Sequence, residues 1–297
     1  MPPVAGEIDE REGSPLLTGR RKEISGWAVA VLAVLLVSGS RSAGAETIRI
    51  SGTGGAMETM RILGEAFRKD NPRIRVDMMP GIGSSGSVKA VLAGRLDIGL
   101  CGRPLTGEER AQGAVETKYA KTPFVFAVNR SLKITGMTLD AIAGIYAGKR
   151  DWEGGKRIRL VLRPPEDSDI PVLKRMSPAM SAAVDVALRR KGMIVATTDD
   201  DAADAIDSVP GAIGGTTLPL ALSGKRTLRV LALDGVVPSL RTMADRSYPY
   251  SKTFFMVTGK NPSAAVRRFI DFVRSPAGSA ILSRNGQAAV RPEGILP

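Results

Sequence analysis

The chain has 297 residues, 43% hydrophobic and 24% charged, enough to build one large or two smaller globular cores. It has no histidine and a single cysteine, which excludes Ser-His-Asp and Cys-His catalysis, histidine metal sites and an internal disulfide. The formal charge of +12 comes from scattered Lys and Arg with only 4% aromatics, so it reads as a basic surface that draws anions toward a cleft, not as a nucleic-acid face. In chain order, residues 1–45 read as a cleavable export signal. Arg20-Arg21-Lys22 precede an apolar run from Trp27 to Val37, followed by Ser38-Gly39-Ser40 and the small-x-small pattern Ala43-Gly44-Ala45. The run is short for a bilayer span. The mature chain is expected to begin near Glu46, in the periplasm; an uncleaved anchor is the alternative. Arg20-Arg21 hints at the twin-arginine route, but Glu23 and Ile24 fit that route poorly.

Glu46 to Ser51 alternates as a strand, and Ser51-Gly52-Thr53-Gly54-Gly55 forms a loop. Ala56 to Lys69 has apolar residues at helical spacing, with Asn71-Pro72 as its stop. Ile74 to Met79 is a strand, Gly81 to Gly86 a Gly/Ser loop, Ser87 to Ala93 a helix, and Asp97 to Cys101 a strand. The apolar segment Tyr119 to Asn129 is placed to cross between lobes. Leu139 to Ala147 is helical, Asp151-Trp152-Glu153-Gly154-Gly155 a turn, and Ile158 to Leu162 a strand. Arg163 to Asp169 is a polar loop, with helices at Ile170–Met176 and Pro178–Lys191. Asp199 to Asp207 is a short acidic helix whose Asp199-Asp200-Asp201 either caps its positive end or forms a metal site. Val209 to Gly215 turns into a strand. Leu228–Leu233 and Thr253–Thr258 are strands, and Ser263–Arg274 and Ser275–Asn285 are helices. Cys101, at the end of an apolar strand, reads as a buried structural thiol; with no histidine to activate it, a nucleophilic role is the weaker alternative.

Strands alternating with helices predict an α/β fold with a mostly parallel sheet. Both Gly-rich loops leave the carboxyl end of a strand, the edge where open α/β sheets bind ligands. Gly81, Gly83 and Gly86 stand just ahead of a helix start, and Ser84 and Ser85 add hydroxyl donors there. Unpaired amides at a helix start suit an anion. Ser84 and Ser85 would also serve as plain N-caps.

Four segments in this order resemble the phosphate-binding proteins of ABC importers, which have the type 2 periplasmic binding fold. They are Ser51-Gly52-Thr53-Gly54-Gly55-Ala56-Met57; Gly81-Ile82-Gly83-Ser84-Ser85-Gly86 with Lys89, Asp97-Ile98-Gly99 and Arg103-Pro104-Leu105-Thr106; Ile145-Tyr146-Ala147-Gly148-Lys149 through Trp152 and Gly154-Gly155 to Arg163; and Pro210-Gly211-Ala212-Ile213-Gly214. The resemblance runs from about Thr47 to Gln287. It implies two α/β lobes, each a mixed sheet flanked by helices, with the ligand cleft between them. Residues 46–127 and 225–297 would form one lobe and 128–224 the other. It implies ligand contacts at Thr53, Gly54, Gly55, Ala56 and Met57, at Ser84 and Ser85, and at Arg163, Asp167 and Ser168. It also implies a monomer that hands inorganic phosphate or another small oxyanion to a permease in the inner membrane, with no cofactor, no metal and no catalytic residue. Arg163 has a salt-bridge alternative.

The chain departs from that family at three places, one of them Ala56, where a hydroxyl donor often found in the family is lost. Cys101-Gly102 stands where family members carry Ser-Asp or a Ser pair, and Asp167-Ser168-Asp169 replaces a Ser-Gly-Thr run. Either Asp167 or Asp169 replaces the lost acceptor from the opposite lobe, or both face solvent, or the pocket holds another ligand. Two further functions stay open: a drifted sensor or accessory domain for a different anion, and a dinucleotide-dependent enzyme built on Gly81-x-Gly83-x-x-Gly86.

Overall fold

The computed structural model describes residues 46–290, so the export signal expected over 1–45 lies outside the described residues. Among the described residues no helix is long and apolar enough to cross a membrane. The strands are β1 (Glu46–Gly52), β2 (Ile74–Met78), β3 (Ile98–Cys101), β4 (Val115–Val128), β5 (Gly136–Met137), β6 (Arg159–Leu162), β7 (Ile194–Val195), β8 (Ala212–Thr217), β9 (Arg229–Val230), β10 (Ala232–Leu233), β11 (Ser251–Thr258) and β12 (Ala288–Ala289). The helices are α1 (Gly54–Asp70), α2 (Gly83–Leu92), α3 (Gly107–Ala111), α4 (Leu139–Ala147), α5 (Asp169–Lys174), α6 (Pro178–Arg189), α7 (Asp199–Ser208), α8 (Leu218–Leu222), α9 (Leu240–Ala244), α10 (Ala264–Arg274) and α11 (Pro276–Arg284).

In the first lobe, Ile48 and Ile50 sit two residues apart on β1 and are both fully buried, the period of a strand with one face on a core. β1 pairs parallel with β2 and β3, and β11 runs antiparallel to β3. Helix α1 covers this sheet with Ala56, Met60, Leu63 and Phe67, and Phe67 meets Phe269 of α10 edge-on at 5.1 Å. The carboxyl ends of β1 and β3 therefore deliver Thr53 and Gly102 to the same edge, tied by the Thr53 amide donating to the Leu100 carbonyl at 3.0 Å.

β4 joins the lobes. Its Val115–Pro123 half pairs antiparallel with β11, and its Phe124–Val128 half pairs antiparallel with β8. The expected crossing segment is thus part of one 14-residue strand. In the second lobe β8, β6 and β7 run parallel. Its core gathers Phe124, Phe126, Ile142, Tyr146, Leu160, Met180, Val184 and Ile213. Leu231, Leu233 and Tyr248 join that core, and the Tyr248 hydroxyl donates to the Phe124 carbonyl at 2.8 Å. On this packing we propose lobes of 46–123 with 250–290, and of 124–249, in place of boundaries at 127 and 225.

Several elements differ from the sequence reading. α1 begins at Gly54, two residues early, because extended Thr53 is already its N-cap. The Gly/Ser loop is half helix: α2 starts at Gly83, whose φ of +69° only glycine takes easily. The single strand expected over 228–233 is broken into β9 and β10 by Leu231, whose side chain enters the second core. α3 was not expected, although its Thr106/Glu109 capping box is a legible signature. Cys101 is fully buried beside Val88, Leu105 and Phe255, and burial pushes its thiol up, away from the thiolate.

Candidate functional site

The start of α1, the start of α2 and the end of β3 meet the start of α5 and the end of β6 across the cleft. From the first lobe come the Thr53 hydroxyl, the Gly55 amide and the Ser84 hydroxyl. Ser84 is buried, and its oxygen accepts from the Gly102 amide at 2.9 Å. From the second lobe come Ser168 and Arg163, each 5% exposed. Ser84 Oγ and Ser168 Oγ stand 3.5 Å apart, bridging the two lobes. Arg163 is fixed by Nη1 donating to the Ala196 carbonyl at 2.9 Å and by Nη2 donating to Asp167 at 2.6 Å. Its Nε has no partner among the described residues, and neither does the buried Thr217 hydroxyl beside Gly55.

Three carboxylates share this place with two cations. Asp199, the first residue of α7, reaches away from its own helix. Its Oδ2 accepts from the Thr53 hydroxyl and, at 3.2 Å, from the Gly55 amide, and its Oδ1 lies 3.6 Å from Arg163 Nη2. Asp169 pairs with Lys252 of β11, whose side chain is fully buried. Asp167 completes the set through Arg163. Counting Arg163 and Lys252 against Asp167, Asp169 and Asp199 leaves one net negative charge in the cleft.

The carboxylates titrate differently. Burial alone would raise Asp199, but the charges of Lys252 and Arg163 and the hydrogen bonds from Thr53 and Gly55 outweigh it and hold the group at about 2. Burial raises Asp169 above the ordinary carboxylate range; Lys252 opposes this, while Asp199 and Asp167 add to it. Asp169 therefore takes a proton before Asp199 does.

Lys252 also accounts for the glycine at 102. A Cβ at position 102 would collide with Lys252 Cε and lie 3.0 Å from Nζ and 3.1 Å from Ser168 Oγ. The lysine stem fills the space a side chain at 102 would need.

The sequence-derived residues divide as follows. Thr53, Gly55, Ser84, Arg163, Asp167 and Ser168 converge on the cleft. Gly54 lies beneath it, packed against Asp199 and Asp200. Ser85 is turned aside, accepting from Arg103 Nη2 at 3.1 Å. Ala56 is fully buried in the first core, its amide bonded to the Thr53 carbonyl, and Met57 packs on the same core. The acidic run does not gather on one ion: Asp199 crosses to α1, Asp200 pairs with Arg226 at 3.0 Å, and Asp201 caps α7 through the Thr198 amide. Sequence reasoning missed Lys252 and the crossing of Asp199. Lys252 shares strand parity with the buried Phe254 and Met256, which was the available signal.

Asp97 is held by Arg49 at 2.9 Å just before β3 begins, and not at a strand's carboxyl end where a dinucleotide site carries its ribose acid. It lies at the amino end of the sheet, opposite the cleft edge.

A family model described as "PBP superfamily domain" matches residues 38–277. Among curated proteins, the phosphate-binding protein PstS of Borreliella burgdorferi is 24% identical over 257 residues, covering 82% of this chain and 91% of that protein. The protein of the same name from Bacillus subtilis is 26% identical over 238 residues, covering 77% of this chain and 75% of that protein. Among solved structures, a putative phosphate ABC transporter substrate-binding protein with bound phosphate from Clostridium perfringens has a TM-score of 0.72 at 21% identity, over 83% of this chain and 100% of that one. An ABC-type phosphate transport receptor from Vibrio cholerae has a TM-score of 0.58 at 18% identity, over 81% and 99%. The fold is therefore the two-lobed, mixed-sheet type 2 periplasmic binding architecture.

Proposed function

The chain belongs to the PBP superfamily, and from that premise we propose that it is an extracytoplasmic solute-binding protein for a small oxyanion, inorganic phosphate first, working with an ABC permease and performing no chemistry. The observation that carries this is the meeting of donors from both lobes in one buried place: Thr53, Gly55 and Ser84 from one side, Arg163 and Ser168 from the other. Relatives named for phosphate binding supply the choice of anion.

An anion touching both lobes stabilises the form in which they touch it together, and closure is the signal a permease reads. Arg163 contributes a planar, permanently charged fork that matches two oxygens of a tetrahedral anion. Backbone amides at the start of α1 add partial positive charge without a further cation. A groove lined by Lys118, Arg175 and Glu116, with Arg103 paired to Glu109 and Lys252 paired to Asp169, leads to Ser168. A protonated phosphate can donate to Asp167 or Asp169, whereas fully ionised sulfate has no proton to give, so the carboxylates select between the two.

The three carboxylates favour a second reading, in which the same cleft serves a sensor or accessory protein for another anion. A thermal-shift panel of phosphate, sulfate, arsenate, nitrate and small organic acids separates the two. Stabilisation by phosphate and arsenate supports the first reading; a response confined to other anions replaces it with the second.

A further inference from the structure

We propose that the Asp199 carboxylate is an intramolecular stand-in for the oxyanion, seated between the lobes on the ligand's own donors, so that an incoming oxyanion has to displace it. This rests on the oxyanion reading above and adds a competitor built into the chain.

The contacts of Asp199 are those an oxyanion would make. It is anchored on the second lobe, yet it accepts from Thr53 and Gly55 of the first and faces Arg163 of its own. Its carboxylate thus bridges the lobes as a ligand would. Gly54 permits this close approach: a Cβ there would lie 2.8 Å from Asp199 Cβ and 2.9 Å from Asp200 Oδ2. Nearby, Arg163 Nε and the Thr217 hydroxyl, both in buried residues, lack partners among the described residues.

Asp199 is dispensable where it starts. The α7 N-terminus is closed by the reciprocal Thr198–Asp201 capping box, so the Asp199 side chain can swing out without uncapping its helix. Protonation does not release it, because the group stays ionised down to about pH 2. Nor can it share the seat: the cleft already holds one net negative charge, and a second anion against Asp199 is repelled.

The test is isothermal titration of inorganic phosphate into the wild-type protein and into Asp199→Asn, Asp199→Ala and Asp199→Glu, with circular dichroism melts confirming that each is folded. The neutral variants should bind roughly tenfold tighter or more, the scale of one unit charge a few ångströms from an anion in a cleft. Asp199→Glu keeps the charge and should bind phosphate more weakly than the neutral variants. Asn is isosteric and can still pair with Thr53, so it answers the question even where Ala disturbs packing. Wild-type binding with neutral variants no tighter overturns the role of Asp199 alone. No phosphate binding by any of the four proteins overturns both this role and the oxyanion reading.

Discussion

Replacing Lys252 by methionine tests the buried charge cluster most sharply. The substitution keeps the length of the side chain and removes its charge. It leaves Asp167, Asp169 and Asp199 facing Arg163 alone, with Asp169 buried and unpaired. Breaking a buried ion pair from one side costs about 3–5 kcal/mol, because the surviving charge stays out of water. For a chain of this size each kcal/mol moves the melting midpoint by roughly 2–4 °C, so the expected loss is roughly 6–20 °C. The loss should be largest near pH 8 and smaller near pH 5. Asp169 is already raised by burial; without Lys252 its pKa rises further, so the folded state takes up a proton that the unfolded chain does not hold above a pKa of about 4. Stability from that proton is present at acidic pH and is lost as pH rises through the folded pKa. The double variant Lys252→Met/Asp169→Asn leaves no bare charge and should recover most of the midpoint. Circular dichroism melts of the three proteins at pH 5 and pH 8 measure all of this. A single variant that melts within 2 °C of wild type at both pH values, or a double variant no better than the single, would refute the reasoning.

Other outcomes follow from the same geometry. Arg163→Ala removes the guanidinium facing Asp167 and Asp199 and should weaken phosphate binding by roughly 30-fold or more, the scale for truncating a buried charged partner; undiminished affinity in a titration removes Arg163 from the site. Gly102→Ala drives a Cβ into Lys252 and should cost about 1–3 kcal/mol by overpacking, most of it recovered in Gly102→Ala/Lys252→Ala relative to Lys252→Ala alone; additive losses in the melts would show that the two residues do not compete for space. The wild-type protein should melt higher at pH 5 than at pH 8, because Asp169 is raised in the folded state, and Asp169→Asn should flatten that slope. A slope that survives in Asp169→Asn assigns it to another group.

The alternation of strands and helices was legible because each element carries its period openly: Ile48 and Ile50 two apart, and Ala56, Met60, Leu63 and Phe67 along one helical stripe. That stripe also contains the reason Ala56 points away from the cleft, once the helix is seen to begin at Gly54. Thr53, Ser84, Arg163 and Ser168 were named through the resemblance, while glycines and strand ends mark only the loops that carry them. Asp199 was hidden by its neighbours, since three aspartates at a helix start read as caps for that helix, and only the fold shows the first serving another one. Lys252 was hidden because lysine is ordinarily a surface residue. Its burial depends on Gly102, about 150 positions away in sequence, and on Asp169, and neither relation is written in local pattern.

The most direct measurement is isothermal titration of the purified protein with phosphate and then sulfate, after partial unfolding and dialysis to strip any bound anion. A one-to-one phosphate isotherm is expected, weakened by roughly 30-fold or more in Arg163→Ala, with no heat from sulfate. Silence with phosphate in both the wild type and Asp199→Asn would contradict the oxyanion reading.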